Sequence, residues 1–226
     1  MKHRIALKSS VRFALTAAAA ALAFQSAPAL ADDGATYEVT VTGLWTAERF
    51  PLEYPKAGVL TGPHFSGVIG ASHNGQYALF ADGRAPTAGL ERLSEEGKHS
   101  PLDKEIKDAI AAGRAGALFE TDPIKDFGQS VKGTVRVSMT NPQVSAVAMI
   151  APSPDWFAGV AGVSLVEGGR YVAEKTVDLY AWDAGGDQGA TYTAADADLA
   201  TKQATMIASP KHFGDKPVAR ITFRRM

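Results

Sequence analysis

Tyr37-Glu38-Val39-Thr40-Val41-Thr42 alternates apolar and polar side chains along its whole length. In an extended chain successive side chains point to opposite faces, so this two-residue period gives Tyr37, Val39 and Val41 to a core and leaves the other face to water. The pattern returns at Val131, Val135, Val137 and Met139, set against Lys132, Thr134, Arg136 and Ser138. It returns once more near the end, where Ala219, Ile221 and Phe223 alternate with Arg220, Thr222 and Arg224. Residues 65–71, 76–81, 144–151, 159–165, 171–180 and 204–208 are further strand candidates, divided by turns of Gly, Pro and Asp. Eight or nine short strands of this kind predict an all-β fold, an antiparallel β-sandwich.

One segment departs from the two-residue period. Ser100 is placed as an N-cap, Pro101 as the first helical residue and Asp103 as the acid that completes a capping box. Leu102, Ile106 and Ile110 recur every fourth residue and Gly113 ends the run, which predicts one surface helix over residues 101–112. Residues 32–36 and 115–128 are expected to be the mobile stretches.

The first 31 residues read as a secretory signal peptide. Lys2, Arg4, Lys8 and Arg12 form a basic start, residues 13–24 an apolar stretch, and Ala29-Leu30-Ala31 a small-x-small cleavage site. An apolar run of that length falls short of the roughly 20 residues that cross a bilayer, so an exported chain without a transmembrane span is expected, in the periplasm or outside the cell. Residues 32–226 are then one domain with its own core. The leader removes four basic and no acidic residues, which makes the formal net charge of −1 four units more negative. That balance speaks against nucleic acid as a partner. With no cysteine in the chain, packing and metal, rather than disulfides, must stabilise it.

Two short loops concentrate carboxylates. Asp155 lies in Pro152-Ser153-Pro154-Asp155-Trp156-Phe157, and Asp183 and Asp187 lie in Trp182-Asp183-Ala184-Gly185-Gly186-Asp187-Gln188-Gly189. Carboxylates gathered without Lys or Arg repel one another unless a cation shares the site, and calcium accepts about 6–8 oxygen ligands from such irregular loops. The plain alternative is that Asp and Gly are simply good turn formers. Each loop follows a strand, one ending near Ala151 and the other near Trp182, so both could lie at the same end of the sandwich. An EF-hand is excluded, because its acidic loop pattern is missing.

These blocks, together with Ile69-Gly70-Ala71-Ser72-His73-Asn74, resemble the spondin N-terminal domain family, the domain of F-spondin and mindin. The resemblance extends from about Tyr37 to the C-terminus. It includes Trp45, Phe50-Pro51-Leu52-Glu53-Tyr54-Pro55, Phe65-Ser66 and residues 89–97. It implies a sandwich similar to calcium- and phospholipid-binding domains, with Asp155, Asp183 and Asp187 as calcium ligands, in a bacterial secreted single-domain member. Gly186 and Gln188 depart from the family's usual loop, and the absence of cysteine departs from its animal members.

The resemblance also implies a non-enzymatic, calcium-dependent recognition or adhesion module, since its animal members belong to the extracellular matrix and cell surface. Its partner would be a protein, a glycan or an anionic lipid surface. The alternatives are a calcium-assisted hydrolase and a structural envelope or matrix protein that calcium stabilises. His73 is the catalytic candidate, but Ser72 beside it would point to the opposite face of a strand, so a structural hydrogen-bonding role is favoured. His64, His99 and His212 stand apart from any zinc-binding pattern. Glu95-Glu96 and residues 104–108 read as solvated faces. Trp156 and Trp182 are expected to pack at the loop roots, with an exposed aromatic rim as the alternative.

Overall fold

A computed structural model describes residues 34–56, 62–208 and 210–226. The signal peptide expected at the start lies outside the described residues. The main strands are β1 (Ala35–Gly43), β2 (His64–His73), β3 (Ala115–Ile124), β4 (Ser130–Val137), β5 (Gln143–Ala151) and β6 (Trp156–Ser164). They are joined by β9 (Glu174–Asp183) and β11 (Ala219–Arg225), with the short pieces β7 (Val166–Glu167), β8 (Arg170–Tyr171) and β10 (Met206–Ile207). Helices α1 (Ala88–Glu96) and α2 (Leu102–Ala111) follow β2, and the single turn α3 (Pro210–Phe213) precedes β11.

Every pairing between these strands is antiparallel, in the order β3-β2-β5-β6-β9-β11-β1-β4, with β10 beside the end of β9. The end strands β3 and β4 meet again as the sheet folds over on itself. At Gly133 of β4 a Cβ would lie 3.0 Å from the Glu120 carbonyl of β3, so the absence of a side chain lets the two edges approach. The result is the expected all-β, nearly closed antiparallel sandwich.

The inner face of β1 carries the predicted residues: Tyr37, Val39 and Val41 are buried and face Val135, Val137, Ile221 and Phe223 of the neighbouring strands within one core. On the outer face, Thr40, Thr222 and Thr176 lie in one row, and Arg220–Asp178 and Arg224–Glu174 pair across β11 and β9. Strands β2 and β5 differ, being buried on both faces. One face of each belongs to the main core, while the other contributes Ile69, Ala71 and Val147 to a second core beneath the helices. A strand covered on both sides reads as a continuous apolar run rather than an alternation.

The helical cover is larger than the single expected helix. α1 starts at Thr87, whose hydroxyl oxygen accepts the Leu90 N–H at 3.1 Å, and ends at Gly97 in the left-handed conformation that favours glycine. Glu105 of α2 closes the same end by accepting the Gly89 N–H and the Thr87 hydroxyl, at 2.8 and 2.6 Å. Leu90, Leu93, Leu102 and Ile106 then form the roof of the second core. The expected capping box at Ser100 does not form. Pro101 occupies the cap position without a side-chain hydrogen bond, and the His99 carbonyl accepts the Asp103 N–H at 2.8 Å.

Two further expectations are corrected. Residues 115–128, expected to be mobile, include β3, which pairs along β2 from His73 to Phe65. Its side chains alternate poorly because one edge lies against β4 and part of one face beneath α2. Residues 76–81, expected to be a strand, instead form a turn that inserts Leu79 and Phe80 under the helices. Among the described residues no helix is long and apolar enough to cross a membrane.

Leu93 is fully buried in this second core. Leu93→Ala should destabilise the domain by about 2–5 kcal/mol, the usual cost of a truncated core leucine, read as a shift of the urea or guanidinium midpoint.

Candidate metal centre

The end of β9 brings the two carboxylate loops together. Trp156, the first residue of β6, pairs directly with Asp183, the last residue of β9, so Asp155 lies beside the start of the 183–189 loop. The Ala184 N–H donates to the Asp155 carbonyl at 3.2 Å. Asp155 Oδ2 accepts the N–H groups of Gly186 and Asp187, at 2.6 and 3.2 Å, so one carboxylate shapes the other loop. Its second oxygen, Oδ1, is buried with no hydrogen-bond partner. Asp155 itself has 0% exposure.

Asp187 is also buried. Its carboxylate accepts the Gly189 N–H at one oxygen and the Ala197 N–H, at 2.6 Å, at the other. Asp183 is half-buried and accepts the Gly185 N–H at 2.9 Å. None of the three forms an ion pair among the described residues. The carboxyl groups of Asp155 and Asp183 register this placement. Burial, then the charge of Asp183, raises the pKa of Asp155 to about 6, although the Gly186 and Asp187 N–H groups act in the other direction. Burial likewise raises Asp183 above the ordinary aspartate range.

A second set of acids, not anticipated from the sequence, faces the same loop. Oxygens of Glu91, Glu95 and Asp198 lie within 4.8 Å of one another, and those of Asp187, Asp196 and Asp198 do the same. Asp155 and Asp183 belong to neither group. Lys202 reaches this region, its ammonium meeting Glu91 Oε1 at 2.5 Å and the Gly186 carbonyl at 3.4 Å. Glu95, expected on a solvated face, has one buried carboxylate oxygen without a partner. Burial, followed by the charges of Glu91 and Asp198, moves its pKa up to about 7. The only sequence signal was that Glu91 and Glu95 lie four apart on one helix face, which is visible once α1 is recognised as a helix.

Two clefts meet at Asp187. One, of about 370 Å³, is lined by Glu95, Glu96, Asp196 and Asp198; the other, of about 480 Å³, by Asp183, Gly185, Met206 and Ile207. Met206, at 55% exposure, Ile207 and Tyr180 are the exposed apolar side chains at this end. The tryptophans pack inward. Trp156 is enclosed by Tyr192, His212 and Phe213, while Trp182 rests on Phe80 and donates its Nε1–H to the Gly159 carbonyl at 3.2 Å. The packing role expected of both is observed, and no aromatic rim is formed by them.

A sequence profile described as Spondin_N matches residues 35–216, from the first strand to beyond α3. The chain belongs to the spondin N-terminal domain family. Spondin-2 of Rattus norvegicus and Spondin-2 of Homo sapiens are each 31% identical over 210 residues, which cover 85% of this chain and 62% of each relative. Spondin-1 of Xenopus laevis is 30% identical over 163 residues, 70% of this chain and 20% of that protein. The chain thus spans less than two thirds of the length of these relatives. In this spondin domain, Gly186 makes room for Glu95: a Cβ there would lie 2.7 Å from Glu95 Oε1.

His73 lies away from this end and is buried. Its Nδ1 is 2.9 Å from the Asn74 carbonyl, which can only accept, so that nitrogen carries the proton and Nε2 accepts the Ser145 hydroxyl at 2.7 Å. The Ser145 oxygen in turn accepts the Gly162 N–H at 2.9 Å. Ser72 instead accepts the Ala117 N–H, at 2.9 Å. Ser72 and His73 thus face opposite sides of β2 as expected, and the serine that meets His73 is Ser145 of the adjacent strand. This Ser–His pair is buried and lines none of the described clefts.

Burial lowers the His73 pKa below its ordinary value. A histidine favoured neutral in the fold contributes stability above the unfolded value of about 6.5 and loses it as pH falls through the folded pKa. Replacing His73 by Gln should cost about 1–3 kcal/mol at neutral pH. That deficit should shrink as the pH is lowered below about 6.5, as measured by paired denaturation curves.

Proposed function

We propose that this spondin domain is an exported, non-enzymatic recognition module in which calcium organises the loops that contain Asp155, Asp183 and Asp187. The observation that carries this reading is Asp155, a fully buried carboxylate with one oxygen left without a partner and two further carboxylates nearby. A buried acid without a counter-charge is costly, and a hard divalent cation offsets that cost by accepting its oxygens. The donors are all oxygen, the chemistry calcium takes: Asp155, Asp183 and Asp187 would hold it, their carboxylates drawing closer together than they lie without the ion, with carbonyls and water completing the shell. The ion would supply positive charge at a mouth rimmed by Met206 and Ile207.

The biological reading rests on family membership and the signal-like leader. A cation held among protein carboxylates can retain an open position for an anionic group, while Met206 and Ile207 provide apolar contact. The partner is thus a protein, glycan or lipid surface that presents an acidic group, met in the periplasm or outside the cell. The buried Ser145–His73 pair gives a hydrolase no reachable nucleophile, which favours binding over catalysis. Asp155 also orders the 183–189 loop through backbone N–H groups, an observation that favours the rival role of calcium as a stabiliser alone.

Calcium at a hundredfold excess over its Kd should stabilise the domain by about 2.7 kcal/mol. Calorimetric melting with calcium and with chelator measures this, and Asp155→Asn should remove most of the difference. An unchanged melting curve in protein first shown to be calcium-loaded would refute the site. Surface material from the producing cell should be retained by the immobilised domain with calcium and released by chelator. Retention that survives chelation would leave calcium as a stabiliser.

The affinity should also depend on pH. In the metal-free domain Asp155 titrates at about 6, so below that pH each ion must displace a proton. Apparent affinity should fall by up to about tenfold for each pH unit below 6 for every proton released. Titration calorimetry in buffers of different ionisation enthalpy reads the proton release directly.

A further inference from the structure

The end of β2 bears a side chain placed for self-modification. Asn74 follows His73 and opens a turn in which the Tyr77 N–H donates to the Asn74 carbonyl at 3.3 Å. Its Oδ1 accepts the Gln76 N–H at 2.9 Å, which draws electron density from Cγ. The next residue, Gly75, is exposed, a Cβ on it would meet nothing within 4 Å, and among the described residues its own N–H makes no hydrogen bond. An unengaged, sterically open amide nitrogen thus immediately follows a polarised side-chain amide.

We propose that Asn74 is a deamidation site, converted through a cyclic imide with Gly75 into aspartate and isoaspartate. The Gly75 nitrogen gives its proton to solvent base and forms a bond to Asn74 Cγ, while the Cγ–Nδ2 bond breaks and the Nδ2 group takes a proton from water and leaves as ammonia. Water then opens the imide at either carbonyl, giving aspartate or its isomer with the main chain routed through the side-chain carbon. Water is the one co-reactant, and nothing is oxidised or reduced. The other asparagine, Asn141, is followed by Pro142, whose nitrogen carries no proton, so it provides an internal control.

The change would affect the fold locally. Asn74 Nδ2 donates to the Gly113 carbonyl at 3.1 Å and the Asn74 N–H to the Arg114 carbonyl at 3.2 Å, which ties β2 to the turn between α2 and β3. Aspartate puts an acceptor oxygen where that donor stood, facing another acceptor. The isomer adds a carbon to the main chain beside the carbonyl that fixes His73 Nδ1. Ageing of the secreted domain therefore loosens the α2–β3 end without touching the carboxylate end.

The test is to incubate the folded domain at mildly alkaline pH and body temperature and follow it by peptide mapping with mass spectrometry. Peptides containing Asn74 should gain a single dalton and become substrates for isoaspartate methyltransferase, while those containing Asn141 remain unchanged. Gly75→Ala, at an open position, should slow the gain by at least tenfold without altering the initial melting temperature. Asn74→Asp should lower that temperature in the same direction as ageing. The proposal is overturned if Asn74 in the folded domain keeps its mass while a peptide of residues 70–80 converts under the same conditions, or if Gly75→Ala converts at the wild-type rate.

Discussion

Asp155 is a carboxylate removed from water at the point where two loops meet, and that desolvation governs the end of the sandwich around it. A buried carboxylate must have its lone pairs satisfied, and here one oxygen receives two N–H groups from the 186–187 backbone while the other receives none. The first oxygen fixes the path of the second loop. The unpartnered one is the oxygen that the proposed calcium would engage. The remaining structure provides the rigidity that makes this possible: Trp156 beside Asp155 is locked among Tyr192, His212 and Phe213, and Asp183 is fixed by its register with Trp156.

The two cores explain why the carboxylates can remain so confined. The main core lies inside the folded sheet, and the second is formed between β2, β5, β6 and the two helices. α1 extends from that second core toward the 183–189 loop and presents Glu91 and Glu95 to it. Gly186 allows the approach, since any side chain there would meet Glu95. Lys202 bridges the two elements, partly offsetting the negative charge through Glu91 and the Gly186 carbonyl. The acidic end is therefore a joint product of a loop and a helix far apart in sequence.

Much of the fold was legible in the sequence because burial on a single face leaves a two-residue period. β1, β4 and β11 were read in this way, and the strand carrying Phe65–Ala71 was found because its apolar run is bounded by turns. α1 leaves little trace in sequence because its short stretch contains Gly89, Ser94 and several charges, so its helical character depends on the Thr87 cap and on Glu105 from a neighbouring helix. β3 carries no strand signal in sequence, because an edge strand has polar residues on both faces, and pairing with β2, rather than hydrophobic pattern, holds it in place.

For the site, sequence alone named Asp155, Asp183 and Asp187 and the family to which their spacing belongs, because loop carboxylates with adjacent glycines are a local chemical signal. It also indicated an antiparallel β fold, since strand periodicity is written within a few consecutive residues. Tertiary structure alone decided that Asp155 is buried with an unpartnered oxygen, that Glu95 faces the same loop across Gly186, and that His73 is paired with Ser145 rather than Ser72. Those facts depend on which strands become neighbours and on how far each group is removed from water. Both are set by contacts between residues distant in the chain, which no local pattern records.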